Sequence, residues 1–207
     1  MRKLVTSTFV TLDGIMQAPG GPGEDDSGGF RSGGWSVNYW DDMMAQVMGE
    51  TFAKRPELLL GRKTYEIFAS YWPNAKDEPG ADNLNNAKKY VVSRTLDKVE
   101  WNNSTLISGD VVKEITRLKE LDGPELQVHG SSNLIQTLLK HSLIDELQLL
   151  IFPVAIGSGK RLFGEGTNPS DFKLVDSKTS STGVIIATYE LTGELKTGSF
   201  ALDTAES

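Results

Sequence analysis

Short apolar segments that end in glycine or serine and run directly into amphipathic stretches recur along this chain of 207 residues, and this alternation restricts the fold most strongly. In one example, the strand-like segment Glu-Leu-Leu-Leu at 57–60 leads through Gly61 into a helical pattern over 62–72. Strands that feed helices in this way form a largely parallel sheet with helices on both faces. Residues 172–176 and 184–191 alternate apolar and polar side chains and predict an antiparallel hairpin. We therefore expect an α/β fold with a mixed, mostly parallel sheet.

The same periodicities predict the order of the elements. Strands are predicted over 4–10, 57–60, 90–92, 105–107, 126–128 and 144–153, and helices over 40–54, 62–72, 110–121 and 131–141, with Ser108 capping the third helix. A long loop over 11–38 contains a glycine-rich acidic piece at 19–29. Loops of this length in compact domains are usually functional lids or disordered. We expect one domain over 1–192 and a polar C-terminal tail over 193–207.

The composition excludes several classes of function. The chain has no cysteine and 2 histidines, so a disulfide scaffold, a zinc–thiolate site and a thiol nucleophile are excluded, and no metal site is predicted. The net charge of −7 disfavours a nucleic-acid partner. No apolar run is long enough for a membrane span, and no signal-peptide pattern is present. We expect a cytoplasmic protein, with no membrane partner, whose chemistry depends on a bound cofactor, carboxylates or hydroxyls.

Three predicted strand–helix junctions carry residues suited to binding anions. They are Gly61-Arg62-Lys63-Thr64, Ser93-Arg94-Thr95 and Gly130-Ser131-Ser132-Asn133-Leu134. In an open parallel sheet such junctions share one edge, where helix N-termini present free amide donors. Each junction alone is more often a helix stop or cap with a solvated cation, but three together suit a dinucleotide, which needs separate sites for its phosphates. Two arginines, Arg62 and Arg94, suit a ribose 2′-phosphate and therefore favour NADPH over NADH.

Four blocks of the sequence, in order, carry a resemblance to a known family. They are Thr-Leu-Asp-Gly-Ile-Met at 11–16, Leu-Leu-Gly-Arg-Lys-Thr-Tyr-Glu at 59–66, Tyr-Val-Val-Ser-Arg-Thr at 90–95, and a block from Val-His-Gly-Ser at 128–131 to Pro-Val-Ala-Ile-Gly-Ser-Gly-Lys-Arg-Leu-Phe at 153–163. Together they resemble the dihydrofolate-reductase-like superfamily. More specifically, they resemble the C-terminal reductase domain of the riboflavin-biosynthesis deaminase-reductase RibD.

The resemblance implies a dihydrofolate-reductase-like fold that binds NADPH along its strand ends. It implies that Gly61, Arg62 and Thr64 hold cofactor phosphates and that Ser93 and Arg94 hold the adenosine 2′-phosphate. It implies that Gly130, Ser131 and Ser132 hold the pyrophosphate. The cofactor site is completed by Lys63, Thr95, Asn133 and Leu134. It also implies reduction of 5-amino-6-(5-phosphoribosylamino)uracil or a related pterin or pyrimidine. That ribosyl phosphate would need a further cationic clamp, for which Lys160 and Arg161 are candidates.

A reductase of this kind needs a source for the proton that accompanies the hydride. Asp13, after the first strand, and Asp41, near the start of the first helix, are the predicted catalytic residues. A turn-forming role for Asp13 and a helix-dipole role for Asp41 are the structural alternatives. Ile15 and Met16 are predicted to wall the nicotinamide and Trp35 to stack on the substrate, with core packing or loop anchoring as the alternative.

The leading hypothesis is thus an NADPH-dependent reductase of a small heterocyclic substrate. The alternatives are a non-catalytic NADPH-binding or regulatory module and a dihydrofolate or pterin reductase. A homodimer is predicted from the family and from the long apolar segment at 144–153, which can equally be a central strand.

Overall fold

A single mixed sheet organises the part of the chain that a computed structural model describes, residues 1–75 and 77–200. Its strands are β1 Leu4–Thr11, β2 Glu57–Gly61, β3 Lys89–Val92, β4 Ser104–Ile107, β5 Leu126–Val128, β6 Glu146–Phe152, β7 Ser170–Thr179 and β8 Ile185–Glu194. They lie in the order β4-β3-β2-β5-β1-β6-β8-β7. Strand β8 pairs antiparallel with both of its neighbours, and the other pairings are parallel. The predicted mixed, mostly parallel sheet with a closing hairpin is confirmed.

The helices are α1 Asp42–Ala53, α2 Arg62–Tyr71, α3 Ala81–Asn86, α4 Val111–Glu120 and α5 Ser132–Lys140. Three details differ from the sequence prediction. Trp40 was placed inside the first helix, but Asp41 caps that helix and Trp40 precedes it, 48% exposed. The cap of α4 is Asp110 rather than Ser108, because the Asp110 carboxylate accepts a hydrogen bond from the Lys113 amide. The short helix α3 was not predicted.

The C-terminal hairpin is longer than its alternating pattern indicated. Strand β8 continues to Glu194, so the boundary at 193 falls within a paired strand. Of the predicted tail over 193–207, residues 201–207 lie outside the described residues.

Strand β2 is buried on both faces, and its three leucines show how the layers are formed. Leu59 packs in a core with α4 and α5, whereas Leu58 and Leu60 pack on the opposite face with Tyr65 of α2 and Leu84 of α3. All three leucines are completely buried. Side chains alternate between the faces of a strand, so a continuous apolar run is what a parallel strand between two helical layers requires.

The positions of β3, β2 and β5 determine where a ligand can bind. These strands are consecutive in the sheet and parallel, so their carboxyl ends lie at one edge. The segments that follow them begin at Gly61 after β2, at Ser93 after β3 and at His129 after β5. Open α/β sheets bind ligands at this edge. The fold therefore brings the three predicted anion-binding junctions side by side.

Strand β6 lies inside the sheet, between β1 and β8. Its apolar residues Leu150 and Phe152 pack in a core with Met44 and Val47 of α1 and Ile186 of β8. The apolar run at 144–153 is therefore explained by the core, and it gives no support of its own to a homodimer. Across residues 1–75 and 77–200, the helices all fall short of the length and apolar character needed to cross a membrane.

Phe152 is the centre of an aromatic cluster that fixes α1 and the end of the long loop to the sheet. Its ring is fully buried, and its centroid lies 5.2 Å from the ring centroids of both Phe9 and Trp35.

We predict that Phe152→Ala lowers the free energy of unfolding by about 3–5 kcal/mol, because the cavity left there cannot collapse fully. The control is Leu174→Ala in β7, where the side chain is 49% exposed. Urea unfolding measures the stability of both variants, and an equal loss of unfolding free energy in the two would contradict this account of the core.

Candidate functional site

Direct contacts join the three turns at the carboxyl ends of the strands. The Gly61 amide donates to the Gly130 carbonyl at 3.2 Å, which links the turn after β2 to the turn after β5. The Arg62 guanidinium donates to the Thr95 hydroxyl at 3.0 Å, which links it to the turn after β3. Arg62 also approaches Glu66 of its own helix at 3.7 Å. The three turns therefore form one continuous surface.

This surface is the floor of a groove of about 830 Å³, here called the basic groove. Its lining comes from all three turns, the start of α4 and one residue from each of two more distant loops. Among its residues are Ser27, Gly61, Arg62, Lys63, Ser93, Arg94, Thr95, Gly109, Asp110, Ser131, Ser132, Asn133, Leu134 and Lys160. Two predicted cofactor residues, Thr64 and Gly130, line the adjoining cleft instead. The predicted cofactor residues are thus brought together in two connected cavities.

The charge of the basic groove is opposite to that of the whole chain, which carries −7. Arg62, Lys63, Arg94 and Lys160 line it, against one acidic residue, Asp110. Within the described residues, the side chains of Lys63 and Arg94 take part in no hydrogen bond or ion pair. Arg94 is exposed at the turn after β3. Unpaired guanidinium and ammonium groups in a concave surface are what a multiply charged anion such as a phosphate requires.

Two helices begin at the groove without a side-chain cap. Gly61, which has no side chain, precedes α2. Ser131 precedes α5, and its hydroxyl accepts no hydrogen bond from an amide of that helix. The first amides of both helices are therefore available to an anionic ligand, whose charge the helix dipole also favours. Helix α4 differs, because the Asp110 carboxylate already caps it. The groove thus offers two open helix N-termini and one that is closed.

The turns approach each other so closely that only glycine fits at two positions. A Cβ atom on Gly61 would lie 1.9 Å from the Ser131 hydroxyl oxygen and 3.0 Å from the Ser131 amide nitrogen. A Cβ atom on Gly130 would lie 2.5 Å from the Thr64 hydroxyl oxygen. The glycines therefore permit the contact between the turns after β2 and β5, and their role here is structural.

Ser93 shapes the turn after β3. Its hydroxyl oxygen accepts hydrogen bonds from the amides of Thr95 at 3.1 Å and Leu96 at 3.0 Å, and the residue is buried. This local bonding bends the chain so that Arg94 and Thr95 lie in the groove. Ser93 also lines the groove, and its direct contact with the cofactor stays a prediction.

A second cavity of about 280 Å³, here called the apolar cleft, opens from the groove. Lys63, Ser131, Ser132 and Lys160 line both cavities. The walls of the cleft are largely apolar and are built by Phe9, Met16, Ala18, Met48, Ile67, Phe68 and Trp72. Its polar lining includes Thr8, Gln17, Glu24, Asp25 and His129. The cleft can therefore enclose a small ring beside a ligand in the groove and shield it from water.

A polar cluster fixes the glycine-rich loop over one side of the cleft. Gln17 donates to the carbonyls of Asp25 and Ser27, both at 2.9 Å, and accepts from the Lys160 amide at 3.0 Å. The Lys160 ammonium group pairs with the Asp25 carboxylate at 2.5 Å. Burial alone would raise the pKa of Asp25, but hydrogen bonds from Lys160 and Ser27 outweigh it and lower that pKa. The loop predicted to be a lid or disordered is held in place by the amide and the ammonium group of Lys160.

Glu24 is the other carboxylate of the apolar cleft. Its Oε2 atom accepts from the amides of Gly20 at 2.6 Å and Gly21 at 3.1 Å. Burial raises the pKa of this carboxyl, against the lowering effect of those two amides. A carboxyl with a raised pKa in a cleft is a candidate for proton exchange with a ligand.

His129 lies at the base of the cleft, with its ring centroid 6.1 Å from that of Phe52 and 6.2 Å from that of Phe68. Burial lowers its pKa to about 4, so the imidazole is neutral at physiological pH. Its Nε2 atom is buried and has no hydrogen-bond partner within the described residues. The residue therefore adds no positive charge to the cleft.

The two predicted proton donors lie outside both cavities. Asp13 accepts hydrogen bonds from the Thr11 hydroxyl at 2.6 Å and from the amides of Ile156 at 3.2 Å and Gly157 at 2.6 Å. These bonds, led by that from Thr11, lower its pKa to about 2, which makes it a poor proton donor. Asp13 thus clamps the end of β1 to the loop around 157, a structural role that extends beyond the local turn given as the alternative.

Asp41 likewise has a structural set of contacts. It accepts from the Met44 amide at 3.0 Å and from the Ser181 amide and hydroxyl at 2.8 and 2.7 Å. The Met44 and Ser181 bonds lower its pKa. The residue caps α1 and ties its start to the turn between β7 and β8.

Of the three predicted substrate contacts, only Met16 lines the apolar cleft. Ile15 is completely buried and packs in a small core with Ala18 and Phe30. Trp35 packs edge-on against Phe152, and its indole nitrogen donates to the Gln17 carbonyl at 2.8 Å. Trp35 therefore anchors the long loop, which was the stated alternative to substrate stacking.

Sequence reasoning missed three polar residues of the cleft, Gln17, Glu24 and Asp25, and named Lys160 only as a candidate phosphate clamp. The signal available was the acidic run within a glycine-rich loop, which indicates polarity but not the direction of any side chain. Among residues 1–75 and 77–200, no group of three or more His, Cys, Asp or Glu side chains could hold a metal ion.

The low pKa of Asp13 predicts that the stability of the folded protein decreases as the pH falls through the acidic range. The folded-state pKa of about 2 lies below the unperturbed value of 3.8, so ionised Asp13 stabilises the folded state above pH 4, and this contribution is lost as the pH falls towards 2. We expect Asp13→Asn to lower the melting temperature at pH 7. The difference in melting temperature between the variant and the wild type should become smaller below pH 4. Asp97→Asn, at an exposed position, is the control. A gap that stays constant down to pH 2 would contradict this assignment.

Comparison with known proteins identifies relatives over most of the chain. Protein YyaP of Bacillus subtilis (strain 168) is 31% identical over 196 residues, which cover 93% of this chain and 96% of YyaP. A crystal structure from Shewanella sp. PV-4, of a protein named for riboflavin biosynthesis, superposes with a TM-score of 0.71 at 24% identity and covers 93% of this chain and 99% of that one.

Dihydrofolate reductase from Enterococcus faecalis, solved in complex with NADP(H), superposes with a TM-score of 0.58 at 14% identity and covers 92% of this chain and 96% of that one. These structures confirm the predicted dihydrofolate-reductase-like fold. The model of the RibD C-terminal domain matches residues 2–186. The chain therefore belongs to the RibD C-terminal domain family.

Proposed function

We propose that the protein is an NADPH-dependent reductase of a small heterocyclic substrate. The observation that carries the proposal is the continuity of the basic groove with the apolar cleft through Lys63, Ser131, Ser132 and Lys160. A dinucleotide needs an extended cationic site, and a hydride acceptor needs a small, water-poor cavity at one end of it. Family membership and the likeness to reductase structures support the same function.

The residues of the groove fit NADPH by charge and by donor type. Arg94 has no partner among the described residues and lies beside Arg62, so these two guanidinium groups suit the 2′-phosphate. The open N-termini of α2 and α5 offer amide donors for the pyrophosphate. Gly61 and Gly130 keep the two turns in contact so that both helix starts face one ligand. When bound, NADPH supplies the hydride.

The residues of the apolar cleft would orient the substrate and keep water out. Met16, Phe68 and Trp72 form apolar walls, and the pair of Lys160 with Asp25 holds the loop in place over them. Glu24 is the carboxyl of the cleft whose raised pKa suits it to hold and return a proton. This role replaces the predicted one for Asp13 and Asp41, whose carboxylates are engaged elsewhere.

One observation favours the alternative of an NADPH-binding module without catalysis: neither carboxylate predicted as a proton donor lines a cavity. A reductase oxidises NADPH when its substrate is present, whereas a binding module does not. We expect NADPH oxidation, followed at 340 nm, with at least one member of a panel of pterins and pyrimidines. Tight NADPH binding with no oxidation across the panel would support the binding module.

The coenzyme assignment predicts a selective loss of affinity. We expect Arg94→Ala to weaken NADPH binding by about tenfold, and Arg62→Ala with Arg94→Ala by about a hundredfold, since charge-assisted hydrogen bonds to phosphate contribute about 1.5–3 kcal/mol each. NADH, which lacks the 2′-phosphate, should bind the single variant as it binds the wild type.

Tryptophan fluorescence or calorimetry measures both coenzymes. Arg117→Ala is the matched control, because Arg117 pairs with Glu114 on the exposed surface of α4. If the double variant kept wild-type affinity for NADPH, the coenzyme assignment would be wrong.

A further inference from the structure

We propose that a third cavity, beside the basic groove and the apolar cleft, binds a small tetrahedral oxyanion such as inorganic phosphate. This cavity of about 440 Å³ is here called the loop pocket. It lies between residues 27–32 of the long loop and residues 158–160, which follow β6. The inference goes beyond the proposed function, because it concerns a ligand other than the coenzyme and the reduced substrate.

The lining of the loop pocket is cationic, although the long loop itself is acidic. Arg31 and Lys160 line it, and none of its lining residues in the described part of the chain is an aspartate or a glutamate. The neighbouring Asp25 carboxylate has a side chain only 7% exposed and is bonded to the Ser27 hydroxyl at 2.6 Å and to the Lys160 ammonium group at 2.5 Å. That carboxylate is thereby neutralised, and the pocket keeps the positive charge that an anion requires.

Both cations keep hydrogen-bond donors for a ligand. The Arg31 side chain is exposed and takes part in no hydrogen bond or ion pair within the described residues. An ammonium group has three donors, and that of Lys160, whose side chain is 39% exposed, uses one of them on Asp25. A guanidinium fork and an ammonium group on one concave surface are donors suited to a phosphate group.

Two hydroxyl groups add to this donor set. Ser32 belongs to the long loop and Ser158 to the segment after β6, so both sequence segments contribute one. Both residues are exposed, and neither hydroxyl has a hydrogen-bond partner among residues 1–75 and 77–200. A tetrahedral oxyanion accepts through up to four oxygen atoms, whereas a carboxylate has two. The number of donors therefore favours a phosphate over a carboxylate.

Close packing holds the two segments of the loop pocket together. Gly159 has a φ of +138°, and a Cβ atom there would lie 2.9 Å from Cγ2 of Ile15 and 3.0 Å from Cε2 of Phe30. Only glycine therefore lets the chain pass so close to the buried Phe30 ring. The residues on either side of this glycine, Ser158 and Lys160, are thereby fixed beside the long loop, so the pocket is formed before a ligand binds.

Hydrogen bonds of Gln17 separate the loop pocket from the apolar cleft. Gln17 and Lys160 are the two residues that line both of these cavities. The Gln17 side chain accepts from the Lys160 amide at 3.0 Å. It also donates to the carbonyls of Asp25 and Ser27, both at 2.9 Å. Because these bonded groups stand between the two cavities, the loop pocket suits a separate small anion rather than a phosphate carried by a ligand of the cleft.

The test is a calorimetric titration of inorganic phosphate into the full-length protein at pH 8, with excess NADP⁺ present to occupy the basic groove. We expect saturable binding of one phosphate, weakened about tenfold by Arg31→Ala, because this change removes the unpaired guanidinium of the pocket. Arg117→Ala removes the same kind of charge from the exposed surface of α4 and should bind phosphate as the wild type does. Absence of saturable binding, or equal weakening by both variants, would overturn the proposal.

A second titration makes the result independent of the coenzyme. The double variant with Arg62→Ala and Arg94→Ala has a weakened basic groove and should still bind phosphate through Arg31 without NADP⁺. Loss of phosphate binding in this double variant would place the anion in the basic groove and overturn the proposal. If NADP⁺ itself fails to bind the wild type, the reductase proposal is wrong, and the double variant still tests the loop pocket.

Phenyl phosphate distinguishes a separate anion from a phosphate that belongs to a larger ligand. It carries the phosphate on a flat ring of a size that fits the apolar cleft. We expect it to bind no more tightly than inorganic phosphate. Tighter binding that still depends on Arg31 would show that the phosphate belongs to a ligand of the cleft, and the assignment to a separate anion would be wrong.

Hydrogen exchange locates the bound anion. Because the anion contacts both segments of the loop pocket, the amides of residues 27–32 should exchange more slowly in phosphate than in chloride of the same ionic strength. Arg31→Ala should abolish this difference. Slower exchange confined to the turns at 61–64 and 93–95 would show that phosphate binds in the basic groove instead.

Discussion

The contact between the turns that follow β2 and β5 is the constraint on which the site depends. The Gly61 amide donates to the Gly130 carbonyl, and neither residue has room for a side chain. This contact brings the starts of α2 and α5 to the same groove with their first amides uncapped. A larger residue at either position would separate the turns and divide one anion site into two. The shape of the groove therefore depends first on the backbone contact between these turns, and charged side chains can act together only once this contact is made.

The two cavities differ in charge, and the difference follows from their origins. The basic groove is built by residues at the starts of helices, where cations such as Arg62 and Lys63 can remain exposed to solvent. The apolar cleft is closed on one side by the acidic loop that precedes α1, which contributes Glu24 and Asp25. Lys160 lies on the common rim and neutralises Asp25. One continuous cavity thus has a cationic part and a largely apolar part that contains two carboxylates.

Much of the fold and of the groove could be predicted from the sequence because both depend on local patterns. Periodicity located the strands and the four longer helices, and the order of strand and helix implies that the junctions at Gly61, Ser93 and Gly130 share an edge. The cap of α4 was misassigned because Ser108 and Asp110 are both good capping residues, and only backbone geometry selects Asp110. The exclusion of Trp40 from α1 has the same cause, since Asp41 caps that helix one residue later.

The apolar cleft was predicted poorly because its lining depends on the path of an irregular loop. Ile15 and Met16 are adjacent, yet one is buried beneath the loop and the other faces the cavity. Asp13 and Asp41 each bond to residues about 140 positions away in the chain, Gly157 and Ser181, and no local pattern reveals such partners. The direction of Glu24 depends likewise on a turn over 20–24 that the sequence marks only as rich in glycine.

The location of that loop within the chain has a consequence for how proteins of this architecture diverge. The segment 12–38 joins β1 to the start of α1, and no strand of the sheet is interrupted by it. Insertions, deletions or substitutions there would change the wall of the apolar cleft, whereas the turns that follow β2, β3 and β5 lie outside this segment. The wall of the apolar cleft and the floor of the basic groove can thus vary separately, except where Ser27 lines the groove and where Gln17 and Asp25 bond to Lys160, which lines both cavities.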